Sequence, residues 1–251
     1  MTSLAYLLAG LFLPLFPLSM LFNLLYARVR NPVMRGVLLL VWPQIGLSLI
    51  FAFGLTTSNW IIAWALLTSL LYALRALALR EVGLWTSFVG TSTWALWWIL
   101  LGSGVEPLQL KILCFGISAP LMLMALLGAG LERRFGAAYL GLYGGLAQSI
   151  PRFSGVLVVV VLAVVATPVF PGFFAMLSLV IKSATPTPFI AFGVGLVWLL
   201  WSWAGARLLQ GLIVGPKRHA VADLSATTLW LYIVVLVGLV FTGVYWTGAM
   251  S

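Results

Sequence analysis

Side chains that carry acid–base, nucleophilic or metal chemistry are scarce in this sequence. Its 251 residues hold one histidine (His219), one cysteine (Cys114) and four carboxylates (Glu81, Glu106, Glu132 and Asp223). A nucleophile–base pair or a metal centre needs several such groups in a convergent set. Here every carboxylate lies in a connector or at the end of an apolar run. One histidine cannot ligate a haem from both sides, and a zinc site is hard to assemble from so few donors. His219 stands beside Lys217 and Arg218 and reads as a solvated loop residue. The residues therefore point to no catalytic, cofactor-binding or metal site, and the chain is poorly equipped to be a conventional membrane enzyme.

What remains is polar or irregular sequence inside apolar runs. Gln44 follows Pro43 in mid-run, where freed carbonyls and a side-chain amide have room for water. Arg75 lies five residues from the end of its run, either snorkelling to the interface or serving a buried polar role. Pro168-Val-Phe-Pro171-Gly172 interrupts a third run, and two prolines with a glycine cannot continue a regular helix. Broken helices serve transporters by exposing helix ends to ions, and they also occur as plain packing features. Trp94, Trp97, Trp98, Trp198, Trp201 and Trp203 cluster in two runs, as interface belts and helix packing both require.

The elements that must position these residues are membrane spans. Hydrophobic residues make up 63% of the chain and charged ones 7%, with a mean hydropathy of +1.18. Repeated apolar stretches of about 20 residues each suffice to cross the hydrocarbon core. The expected fold is an all-α polytopic bundle forming a single integral membrane domain, 1–251, with about eight spans. They run Leu4–Tyr26 (bent at Pro14 and Pro17), Gly36–Leu55, Asn59–Leu79, Leu84–Gly102, Leu110–Leu131, Phe153–Ile181 (broken near Pro168–Gly172), Pro188–Leu212 and Thr228–Gly248. A Gly/Tyr-rich connector before Pro151 is long enough for a short surface helix. The first apolar stretch lacks a basic leader and is too long for a signal peptide, so it reads as a retained span.

Net charge is +9, yet the basic residues sit in twos and threes at run ends rather than along one face. That is the pattern of membrane topology, and it speaks against nucleic acid as a partner. With one crossing at Phe153–Ile181, ten basic residues from Arg28 to Arg218 gather on one side, and only Lys111 and Lys182 fall opposite. A hairpin there would move Lys217 and Arg218 across and weaken the asymmetry. One broken crossing is the preferred reading, with the basic side cytoplasmic and the protein in the inner (cytoplasmic) membrane. Cys114 stands alone, so no intrachain disulfide forms and the redox compartment is unread.

Four stretches carry a family resemblance over residues 70–251. Arg80-Glu81-Val82-Gly83 followed by Phe88-Val89-Gly90 is similar to a segment that ends a span with Arg-Asp-Leu-Lys and re-enters with Ala-Tyr-Ser-Ser. Gly128-Ala-Gly-Leu-Glu132-Arg133, then Tyr143-Gly-Gly-Leu-Ala147 and Pro151, resemble Ala-Gly-x-Leu-Tyr-Glu-Arg and Gly-Gly-Leu-Ala…Met-Pro. Pro168-Val-Phe-Pro-Gly-Phe173 resembles Leu-Pro-Gly-x-x-Gly-Phe-x-x-Glu, and Val214-Gly-Pro216…Asp223-Leu-Ser225 resembles Phe-Gly-Pro…Asp-Leu-Ser. In this order they resemble the antiporter-like membrane subunits of respiratory complex I and of Mrp sodium/proton antiporters, the complex I M-type subunit above all. The chain is similar to the C-terminal half of that family only; residues 1–69 are unassigned spans, and the repeat half with the membrane Glu–Lys pair has no counterpart.

The resemblance also marks departures. The family's His and Lys would fall near Gly116 to Pro120, its broken-helix Glu or Lys at Met176, and its loop lysine at Gly83. A proton path needs titratable groups and water at mid-membrane, and these positions supply none. The implied function is a shortened subunit of a multisubunit ion-translocating complex of the NADH-quinone oxidoreductase type. Its role is structural or coupling rather than pumping alone, with other membrane subunits and the bilayer as partners and no cofactor of its own. Two alternatives stay open, namely the membrane partner of an energy-coupled bicarbonate or CO2 uptake complex, and an independent small transporter.

Overall fold

The computed structural model describes residues 2–102, 105–142, 144–216 and 221–250. Tyr143 of the second motif, and Lys217, Arg218 and His219 of the polar connector, lie outside the described residues. Among the described residues the chain is all-α. Its helices are α1 (Thr2–Phe12), α2 (Ser19–Arg28), α3 (Pro32–Ala52), α4 (Asn59–Ala78), α5 (Val82–Ala95), α6 (Trp97–Leu101), α7 (Pro107–Phe135), α8 (Leu146–Ser149), α9 (Pro151–Val164), α10 (Pro171–Ala184), α11 (Pro188–Ile213) and α12 (Ala226–Met250).

Local chemistry explains the boundaries. Asn31 starts α3 by accepting from the backbone N–H groups of Val33 at 2.9 Å and Met34 at 3.4 Å, with Pro32 in the first turn. Ser58 accepts from Ile61 N–H and starts α4. Prolines open α7, α9, α10 and α11, where a missing N–H costs nothing. Gly136, with φ of +80°, stops α7 after the Glu132-Arg133-Arg134 sequence.

Five helices (α3, α4, α7, α11 and α12) are long and apolar enough to cross a membrane alone. The other three crossings are composite, α1 with α2, α5 with α6, and α9 with α10. The break at Pro168–Gly172 lies where the prolines place it, but it has company. Pro14 and Pro17 interrupt the first crossing completely between Phe12 and Ser19, and Leu96 separates α5 from α6. The surface helix before Pro151 amounts to one turn, α8.

The packing fixes the path of the sixth crossing. Phe153 at the start of α9 meets Gly130 near the basic end of α7, whereas Pro171 at the start of α10 meets Gly116, fourteen residues further back along α7. Lys182 near the end of α10 shares a pocket with Asn59 and Gly102, at the start of α4 and the end of α6, both remote from that basic end. The segment therefore crosses once, as the charge asymmetry requires. The described arginines lie at or near helix ends on one side of the bundle, the basic face. Of these five helices α7 is the most enclosed, with 78% of its apolar window buried inside the bundle, and α12 the least at 22%. α5 is buried on nearly every side; Trp85, Val89 and Trp94 are at most 1% exposed.

Candidate functional site

Two regions bring functional candidates together: the middle of the bundle and the basic face. Ser69 on α4 and Ser92 on α5 each lie ten residues into their helices, about 15 Å deep at 1.5 Å per residue. Their hydroxyl oxygens are 3.0 Å apart, Ser92 donates to the Ser69 carbonyl at 2.7 Å, and the Trp201 indole N–H donates to Ser92 at 2.9 Å. Beside them Trp94 donates to Ser118 on α7 at 3.2 Å. Asn23 on α2 and Thr91 on α5 are hydrogen-bonded at 3.1 Å. These are hydroxyl, amide and indole groups. Among the described residues no Asp, Glu, His, Lys or Arg stands at this depth, and no group of three potential metal ligands occurs.

The break at Pro168–Gly172 is closed by packing. The Trp198 indole N–H lies 3.2 Å from both the Val165 and Ala166 carbonyl oxygens, which immediately follow α9. Thr167 donates from both its backbone N–H (3.1 Å) and its hydroxyl (2.9 Å) to the Leu162 carbonyl. Gly243 on α12 runs so close to Val169 that any side chain there would strike the Val169 carbonyl oxygen. Val169 is exposed, Pro171 and Gly172 buried. Met176, 3% exposed, packs among Thr93, Trp97, Ile117 and Leu179. The Val165 and Ala166 carbonyls freed at the break are thus met by α11 of this chain. Trp94, Trp97, Trp98 and Trp201 are likewise at most 1% exposed, which makes them packing and capping residues; Trp203, 63% exposed, suits the interface.

Other sequence candidates lie apart from one another. The Gln44 amide donates to the Lys111 carbonyl at 2.8 Å and ties α3 to α7. The Lys111 side chain is half-buried near the opposite face. Arg75 is exposed on the last turn of α4, its guanidinium 5.7 Å from the Phe88 ring centre.

The basic face brings together the motifs that are far apart in sequence. Val82 N–H donates to the Ala138 carbonyl at 3.0 Å and Leu140 N–H to the Arg80 carbonyl at 2.8 Å, so Arg80-Glu81-Val82 pairs in extended form with the connector after α7. Tyr139 donates to Glu81 at 3.4 Å. Glu132 is 3.5 Å from Arg35, the only ion pair among the described residues. Gly145 N–H donates to the Val214 carbonyl at 3.2 Å, at a contact so tight that a side chain on Gly145 would overlap the Pro216 carbonyl oxygen. Asp223 accepts from Arg152 N–H (2.8 Å) and Phe153 N–H (3.0 Å) and so caps α9 from seventy residues away. Sequence reasoning named Glu81, but missed Arg35, Tyr139 and Asp223 as its fellow organisers; the signal for Asp223 was the orphaned N-terminus of a proline-started helix.

By sequence the chain matches no family model and no curated protein. By fold it matches membrane complexes. A chain of respiratory complex I from Thermus thermophilus with bound NADH superposes with a TM-score of 0.82 at 19% identity, covering 94% of this chain and 53% of that one. A chain of the membrane-bound sulfane sulfur reductase, an archaeal respiratory membrane complex, gives 0.78 at 15% identity over 96% of this chain and 51% of that one. A chain of the Mrp complex from Dietzia sp. DQ12-45-1b gives 0.64 at 18% identity over 84% and 41%. The fold is that of the antiporter-like subunits.

The chain spans about half the length of those antiporter-like chains, and a likeness over 94% of its residues extends into the spans before Leu70. Within the antiporter-like fold, Gly116 abuts Pro171, with 3.1 Å from a would-be Cβ to the proline ring, and Ser118 is held by Trp94. The mid-membrane positions where the resemblance would put charge are therefore filled by close packing.

Proposed function

We propose that this chain is a structural or coupling membrane subunit of a multisubunit, ion-translocating complex of the complex I type, and does not pump by itself. The observation that carries this reading is the contrast between an antiporter-like fold and a middle of hydroxyls, indoles and Met176, with no ionisable carrier at mid-depth among the described residues. Bringing one charge to the centre of the bilayer costs at least about 2.5–3.5 kcal/mol, so an apolar stretch interrupts a relay. The solved chains that share this fold belong to multisubunit membrane complexes, which supports other membrane subunits as partners. Residues 1–69 and 70–251 act as one domain in the inner (cytoplasmic) membrane, with the basic face cytoplasmic.

Purification of the native protein in mild detergent, with mass spectrometry of what accompanies it, tests this directly; membrane subunits of one complex should co-purify in fixed ratio. The chain alone in liposomes should give no steady ion flux. Protonophore-sensitive transport by the isolated chain would replace this reading with that of an independent transporter.

A further inference from the structure

A polar cavity of about 290 Å³ opens on the basic face between α7, α9 and α12, away from the middle of the bundle. We infer that it is a binding site for one anionic phospholipid, its phosphate held by Arg133 and Arg134 and its acyl chains following the apolar wall inward. Arg133 is exposed and has no carboxylate within ion-pair distance among the described residues. Arg134 is oriented by donating to the Ala222 and Gly130 carbonyls at 3.0 and 3.1 Å and by lying over the Phe153 ring. On the other wall Ser225 and Thr228, their hydroxyls 2.8 Å apart, stand at the N-terminal end of the 25-residue α12, where the helix dipole adds positive potential. The one acidic lining residue, Asp223, has its carboxylate taken up by backbone N–H groups at the start of α9. A guanidinium pair with hydroxyl donors suits a phosphate diester.

The shape distinguishes a lipid from a free phosphate. The lining continues inward to Leu126 and Tyr232, nine residues from the end of α7 and six from the start of α12. At 1.5 Å per residue the cavity thus reaches about 9–12 Å below its basic mouth. Inorganic phosphate would fill only the polar mouth, whereas a phospholipid fills mouth and wall together, as basic pockets between spans on a cytoplasmic face do for acidic headgroups.

The test is native mass spectrometry of the delipidated full chain titrated with phosphatidylglycerol, phosphatidylcholine or inorganic phosphate. One phosphatidylglycerol should bind well ahead of phosphatidylcholine, whose choline offsets the phosphate charge. Arg133→Gln should weaken that binding about tenfold or more, the loss of a charge-assisted contact, while Arg133→Lys retains most of it. Because Arg133 is exposed and forms no ion pair among the described residues, its variants should melt like the native chain. Leu126→Trp, which fills the inner wall, should weaken phosphatidylglycerol and leave inorganic phosphate unaffected. Equal affinity of Arg133→Gln and the native chain for phosphatidylglycerol would overturn the site. So would full displacement of phosphatidylglycerol by inorganic phosphate together with indifference to Leu126→Trp, which would leave a free-anion site only.

Discussion

The first and sixth crossings are both broken by paired prolines, and both breaks are sealed with the same materials. At the first, Trp98 donates to the Leu13 carbonyl at 3.0 Å, Trp42 to the Leu11 carbonyl at 3.1 Å, and Thr68 accepts from Phe16 N–H at 3.1 Å. Gly46 on α3 lets the Leu13 backbone approach to 2.9 Å from a would-be Cβ. At the second, Trp198 and Gly243 take the corresponding parts. An unsatisfied backbone group in hydrocarbon costs several kcal/mol, so a break must be met by water, by charge or by neighbouring donors. Both breaks here use indoles and glycines, so the sixth is built like the first. The comparison argues for packing as the purpose of both.

Four changes would break or sharpen that parallel. Gly243→Leu should have the largest effect, because its side chain must displace the Val169 backbone; overpacking of this kind costs about 3 kcal/mol or more. Thermal unfolding in detergent should show Gly46→Leu nearly as damaging, and a mild outcome at Gly243 alone would separate the two breaks. Next comes Met176→Glu, which buries a carboxyl beside Trp97 and Ile117 and should cost about 2.5–3.5 kcal/mol and the yield of any co-purified partner. Unchanged melting and yield would mean that water already reaches the sixth break.

Trp198→Phe removes the indole N–H that faces the Val165 and Ala166 carbonyls just beyond α9 and should cost about 1–3 kcal/mol. Trp98→Phe should match it within that range, since it strips one carbonyl at the first break. The smallest change lies outside the breaks. Asp223→Ala leaves the N-terminus of α9 uncapped at a cost of about 0.5–2 kcal/mol, and faster amide exchange should be confined to Arg152 and Phe153. Loss of protection spreading to Thr167 would show that the cap and the sixth break act as one unit.

The spans, their number and the single crossing at Phe153–Ile181 were legible because hydropathy and basic residues act through position in sequence alone. The break near Pro168–Gly172 was legible for the same reason, since proline acts on its own helix. Pro14 and Pro17 read only as a bend, because how far a helix opens depends on the donors its neighbours supply, here Trp98, Trp42 and Thr68. The tryptophans were ambiguous between belt and core; an indole pattern does not show which carbonyl it faces. Gln44 was legible as a polar group inside a span, while its bond to Lys111 depended on where α7 passes. Of the polar layer on the basic face, the motif residues were visible singly, but their convergence depends on chain paths that bring Gly145 to Val214 and Asp223 to Arg152.

The close fit of Gly116 against Pro171 bears on mutational accessibility. Even alanine at that position must push the proline ring by a few tenths of an ångström, and a lysine or histidine must also find solvation beside a sealed break. Pro171 in turn begins the helix that carries Met176. A single substitution toward a charged carrier at 116 is therefore selected against by folding before transport can be tested at all, and a second at 176 meets the same barrier. The two positions are thus linked through Pro171, so a larger side chain at 116 calls for matching changes on α7 and α10.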